Sequence, residues 1–155
     1  MLQLIQAPVA LSDLTLQEIP LWIDRARIVK RLWRGAAEDG AEFGFELAAP
    51  LKDGDVVWQT ANARYVIRQQ PESVVEISLE IAPSAAAGIA WAIGNLHLEL
   101  QAEPTRLLAP DEPAVRQLLE RLKVPYTQTT AVFRPGRFAR GAAIAAQELG
   151  QSHKH

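Results

Sequence analysis

Hydrophobic and polar positions follow one pattern up to about residue 68 and another beyond it. Residues 27–33, 43–47, 56–59 and 64–68 are short runs rich in β-branched or aromatic side chains, which predicts strands. Two turn-forming stretches, Glu38-Asp39-Gly40 and Lys52-Asp53-Gly54-Asp55, divide them. Short strands separated in this way build a small sheet sandwich or an open barrel. Gln69-Gln70-Pro71-Glu72 is polar, holds a proline and separates two apolar runs, so a domain boundary is expected there.

Past the boundary the period changes. Residues 74–81 alternate, with Val75, Ile77, Leu79 and Ile81 on one face and Glu76, Ser78 and Glu80 on the other. Pro83-Ser84 opens an alanine-rich helix to about Ile93, with Ser84 placed as its cap and Gly94-Asn95 placed for a left-handed exit. Residues 98–102 and 106–109 are short strands on either side of Glu103-Pro104. Asp111 is placed to cap a second helix, in which Val115, Leu118, Leu119 and Leu122 recur at helical spacing. Residues 126–133 form a threonine-rich strand. The order β-α-β-β-α-β is the split βαβ, ferredoxin-like arrangement. From Arg134 the chain is basic, then alanine-rich, and ends Gln151-Ser152-His153-Lys154-His155. The expected fold class is therefore α+β: a β-rich domain over residues 1–70, a ferredoxin-like domain over 71–135, and a mobile tail over 136–155 with a turn of helix at 142–149.

Composition narrows the function without choosing it. Hydrophobic residues make up 48% of the 155 positions and charged residues 22%, with a net charge of −2. That balance offers nothing to a polyanion, so nucleic acid is not an expected partner. The chain has no cysteine, which excludes thiolate catalysis, disulfides and cysteine-ligated metal sites. The first residues lack a basic region ahead of an apolar core, and the longest nearly apolar stretch, 81–93, is shorter than the roughly 20 residues of a membrane span. A cytoplasmic protein with no membrane partner is expected.

Candidate chemistry rests on three histidines. His97 stands where the first helix of the second domain meets the following strand, and His153 and His155 lie two apart near the C-terminus. A single histidine beside leucines is commonly structural, and one imidazole per chain holds a metal weakly. In a two-fold dimer the same residue from both chains meets across the axis, and two imidazoles then share an ion with positions left open. His153 and His155 point the same way if extended, so both can approach one ion; equally, they are a solvated end. Other constellations are missing: no phosphate loop, no nucleophile elbow and no acid–base pair stands out. Asp53 and Asp55 fit a turn, Arg134, Arg137 and Arg140 a solvated basic stretch, and the four tryptophans core or interface.

Arg25-Ala26-Arg27 at an expected strand start, Leu51-Lys52-Asp53-Gly54-Asp55-Val56 and above all Ala92-Ile93-Gly94-Asn95-Leu96-His97 resemble the urease accessory protein UreE family, over roughly residues 20–135. The Gly-Asn-x-His motif after a helix is the most specific part. The resemblance implies a nickel metallochaperone and no enzyme: a homodimer with a metal at its interface, held by His97 of each chain, with His153 and His155 completing the shell. It implies Ni(II) as cargo, with Zn(II) or Cu(II) able to bind in its place. It also implies an N-terminal domain that binds peptide or partner protein, and delivery to the urease apoprotein complex through the maturation GTPase UreG. The chain departs from the family at Leu96, where arginine is common, after the motif, where Leu98-Glu99-Leu100 replaces a usual proline, and at Asp111-Glu112, where some members carry a further histidine. Leu96 and the short tail favour the alternative, a scaffold for the GTPase that binds no metal.

Overall fold

The structure is a computed structural model and describes residues 2–136. His153, His155 and the expected turn at 142–149 lie outside the described residues. The chain divides after Gln70 into two compact units, and the fold is mixed α and β.

The first unit holds strands β1 (Gln3–Ile5) and β2 (Gln17–Ile23), a short helix α1 (Arg25–Ile28), and strands β3 (Leu32–Ala36), β4 (Glu42–Glu46), β5 (Val56–Gln59) and β6 (Ala63–Gln69). They form two three-stranded sheets, β1-β4-β3 and β2-β6-β5, in which β1 and β2 pair in parallel with β4 and β6. The core joins Leu21, Ile23, Phe43, Phe45, Tyr65 and Ile67, with Trp33 stacked on Phe45 at 4.0 Å between ring centroids. Gly40 and Gly54 occupy the two expected turns with φ of 90° and 93°, a region that only glycine enters freely.

One expectation fails here and one strand goes unpredicted, each for a local reason. Residues 27–33 are not one strand, because the Asp24 carboxylate accepts from the Arg27 N–H at 2.9 Å and caps a helical turn. Arg25-Ala26-Arg27 therefore begins a helix. β2 escapes the sequence pattern because Pro20 sits inside it, and proline is tolerated there because β2 pairs on one side only.

The second unit runs β7 (Glu72–Ser78), α2 (Pro83–Asn95), β8 (Gln101–Ala102), β9 (Arg106–Pro110), α3 (Pro113–Arg121) and β10 (Thr127–Ala131). Its sheet has the order β10-β7-β9-β8, with every neighbouring pair antiparallel. Both helices share one core with the sheet: Ile89, Ile93, Val115, Leu118 and Leu119 join Val75, Ile77, Leu107 and Ala109. Val74, Leu108 and Phe133 form a second, smaller cluster.

The helix ends differ from expectation. Ser84 does not cap α2; Ala82 holds that position without a side-chain bond, and Pro83 supplies the first helical residue. Asp111 does not cap α3 either. Glu112 takes the place, while Asp111 accepts from the Ser73 hydroxyl at 2.6 Å and from Gln128 and pairs with Arg116. Leu122 ends the helix and is 46% exposed, so only three of the four spaced apolar residues join the core.

Candidate metal site at the end of helix α2

Helix α2 contributes Ile89 and Ile93 to the core, and the rest of its surface is uncharged. From Ile81 to Leu98 the chain has no Asp, Glu, Lys or Arg. Ser84, Ala87, Gly88, Trp91 and Asn95 are exposed at helical spacing, with Trp91 70% exposed. A helix facing water normally sets charged side chains opposite its apolar stripe. Here the outward face is small residues and one indole.

The helix continues through Gly94 and Asn95, so the expected left-handed exit does not fall there. It falls on His97, whose φ is 59°. The His97 N–H donates to the Gly94 carbonyl at 2.9 Å, and the Leu98 N–H reaches back to the Ile93 carbonyl at 3.3 Å. These two bonds make a Schellman motif with His97 in its left-handed position, and Leu98 packs back onto the cluster that contains Ile93. Left-handed backbone costs a non-glycine residue roughly 1–2 kcal/mol, and histidine is among the residue types found there more often. The turn thus fixes the His97 backbone tightly while the side chain stays exposed.

The structure therefore places His97 at an exposed, hydrogen-bonded turn, beside a Leu96 that is 43% exposed. Among the described residues no three His, Asp or Glu side chains come together into a metal-binding group. His97 belongs to no such group among the described residues, and the tail histidines lie outside them. Trp91 is the residue that the histidine motif leaves unmarked; the long uncharged run of sequence around it was the available signal. Among the described residues, no helix is long and apolar enough to cross a membrane.

Comparison with known proteins defines the class. The UreE urease accessory protein C-terminal domain family matches residues 72–155. The chain is 34% identical over 119 residues to the urease accessory protein UreE of Geobacillus kaustophilus, covering 72% of this chain and 80% of the relative. It is 34% identical over 131 residues to that of Deinococcus radiodurans, covering 83% and 82%. With that of Lachnoclostridium phytofermentans it shares 26% identity over 151 residues, 92% and 91% of the two chains. These matches define an accessory chaperone of urease, associated with nickel and not an enzyme. The chain belongs to the urease accessory protein UreE family.

Proposed function

We propose that two copies of this chain join through the uncharged face of α2, that His97 of each protomer binds one shared Ni(II) ion at that interface, and that the dimer delivers the ion for urease assembly. The observation that carries the reading is the 70%-exposed Trp91 on a helix face without charge, running into the exposed His97. An exposed indole on a helix face without charge is the kind of surface found at interfaces. Gly88 supports it. A Cβ built at Gly88 meets nothing within 4 Å in the chain itself, yet a glycine in a helix interior costs about 1 kcal/mol relative to alanine. A second helix approaching closely gives it a purpose. Imidazole suits Ni(II), and Zn(II) or Cu(II) bind the same donors; a shell short of ligands suits a carrier that must release.

His153 and His155 complete the shell in this reading, and the urease maturation GTPase UreG and the urease apoprotein complex are the cytoplasmic partners. Residues 71–135 act as a ferredoxin-like metal-binding domain, a reading supported by the strand order β10-β7-β9-β8. Residues 1–70 act as the partner- or peptide-binding domain. An open groove of about 400 Å³ lined by Leu2, Leu4, Leu32 and Gly44 supports that role.

Calorimetric titration of the dimer with Ni(II) at neutral pH, beside His97→Ala, tests the proposal. Binding near one ion per dimer that disappears in His97→Ala is the expected result. Equal, poor binding by both proteins overturns it and leaves a scaffold for the GTPase.

A further inference from the structure

We propose that the groove of the first unit takes an acidic segment of a partner protein, with carboxylates set around an apolar centre. The proposal rests on the reading of residues 1–70 as the partner-binding domain, and its basis is an uneven distribution of charge. Five of the chain's 16 lysines and arginines, namely Arg25, Arg27, Lys30, Arg31 and Arg34, fall within residues 25–34. None of its 18 aspartates and glutamates does. The whole chain carries a net charge of −2, so this stretch reverses the sign locally.

Folding leaves most of these cations without a counter-charge. The Arg27 guanidinium donates to the Arg34 carbonyl at 3.3 Å, a neutral acceptor that leaves its charge uncompensated. Among the described residues Lys30, Arg31 and Arg34 make no ion pair, whereas Arg64, Arg68, Arg106 and Arg116 each meet a carboxylate. Apolar side chains stand among the cations: Val29 is 63% exposed and Leu32 76%. Leu32 and Arg34 line the groove of about 400 Å³ with Leu2, Leu4 and Gly44. Phe43 and Phe45 point into the core, so Gly44 lies on the outward face of β4. Leu4 and Arg34 are its partners on β1 and β3, and two strand spacings set them ~10 Å apart. Leu2 leans over the glycine from one side, its Cδ2 3.1 Å from where a Cβ would stand. Glu42 and Glu46 are acids of β4 on this same face. Arg34 stands on that face against them, with Lys30 and Arg31 immediately ahead of Leu32, so cations outnumber acids along the rim.

Positive charge alone fits several classes of partner, and the apolar residues choose among them. A nucleic acid would meet the cations but leave Leu2, Leu4 and Leu32 unused. The aromatic rings that line the groove, Trp33 and Phe45, are buried and offer no face for a base to stack on. A membrane surface is met by the long apolar face of an amphipathic helix. Here α1 has four residues, and the leucines border a hollow. An acidic segment with an apolar centre satisfies both sets of groups: its side chains fill the hollow and its carboxylates face Lys30, Arg31 and Arg34.

The test is fluorescence anisotropy on the full-length protein, using labelled peptides that share a Leu-Val-Leu centre and differ in glutamate, serine or lysine flanks. At low salt the glutamate-flanked peptide should bind about tenfold or more tighter than the lysine-flanked one, with the serine-flanked peptide between them. Added salt should draw the three together. Lys30→Glu combined with Arg31→Glu should reverse the order, and Lys30→Gln with Arg31→Gln should flatten it. Both positions are exposed, and circular dichroism checks that each variant keeps its fold. Leu32→Ser should weaken every peptide by about three- to tenfold, because the apolar centre loses its contact. Equal binding of all three peptides overturns the proposal and leaves the partner-binding reading standing. Binding of none of them removes that reading, and the proposal with it. An oligonucleotide or phosphatidylserine vesicles that bind as tightly as the glutamate-flanked peptide also overturn it, since the surface then recognises negative charge in any form.

Discussion

Helices α2 and α3 both begin with proline and no side-chain cap, and both end in a Schellman motif with a non-glycine residue in the left-handed position. In α3 that residue is Lys123, with φ of 57°, and the closing bonds run from Lys123 to Glu120 at 3.1 Å and from Val124 to Leu119 at 2.8 Å. The two helices are the same device in the same sheet. They differ in what they show to the outside. α3 buries Val115, Leu118 and Leu119 and turns the charges of Glu120 and Arg121 outward, as a helix in water should. α2 buries two isoleucines and turns out Trp91, Ala87 and Gly88. Shared construction with opposite surfaces separates what the fold requires from what a partner requires. The buried residues and the end motif belong to the fold; the uncharged face of α2 does not.

The largest effect tests the shared part. Ile93→Ala and Leu119→Ala, at equivalent places in the two last turns, should each destabilise the protein by about 2–5 kcal/mol in chemical denaturation. A large cost in only one helix would show that the two are not equivalent. Next comes the contrast itself. Trp91→Glu sets two carboxylates against each other across the proposed axis and removes an indole of the kind that carries about 2 kcal/mol or more of an interface. The dimer dissociation constant measured by sedimentation should rise about 30-fold or more, and Ni(II) binding should fall with it. Arg121→Ala on α3 should leave both within about 0.5 kcal/mol of the natural chain. Smaller again are the left-handed positions. Glycine at either relieves the backbone, so His97→Gly and Lys123→Gly should each raise stability by about 0.5–1 kcal/mol. Only His97→Gly should lose metal. If His97→Gly is neutral or destabilising, the strain at the proposed ligand is not real.

Sequence patterning reached much of this comparison and missed its hinge. The order of elements in the second unit follows from period changes at Pro83-Ser84, at Glu103-Pro104 and after Asp111. β5 is legible to the residue because β-branched and aromatic side chains stand between two turns. The alternation in β7 is legible on the helix side. It does not reveal that Val74 is buried as well, because Phe133, which covers it, comes 59 residues later. The same limit applies to β1 and β2: a three-residue strand and a strand containing Pro20 carry too little local signal, and both are defined by parallel partners far along the chain. His97 stands out by residue type. Its left-handed backbone does not, because Gly94-Asn95 offers a better local stop and the helix runs past it until Ile93 and Leu98 can close the motif around the core.

The smallest effect lies at the opposite end of the two helices, where α3 has something that α2 lacks. The Asp111 carboxyl lies below the usual carboxylate range, chiefly because the Ser73 hydroxyl donates to it, with further help from the Gln128 amide and the Arg116 guanidinium. It ties the entrance of α3 to β7 and β10, whereas the residue before α2 is Ala82, which has no polar side chain to offer. A carboxyl whose value is depressed in the folded state adds stability that is fully present above its unfolded value, about 3.9, and is lost as pH falls through the lower folded value. Asp111→Asn keeps an oxygen to accept from Ser73 and removes only the charge. It should lower the thermal midpoint slightly at neutral pH, and the difference should close in acid. The cluster is partly open to solvent, so the change is small and shrinks further in high salt. A deficit that persists below the carboxylate range would assign the role of Asp111 to hydrogen-bond geometry alone. Dimerisation and Ni(II) affinity measured on the same variant should not move, because the proposed interface belongs to α2 and not to α3.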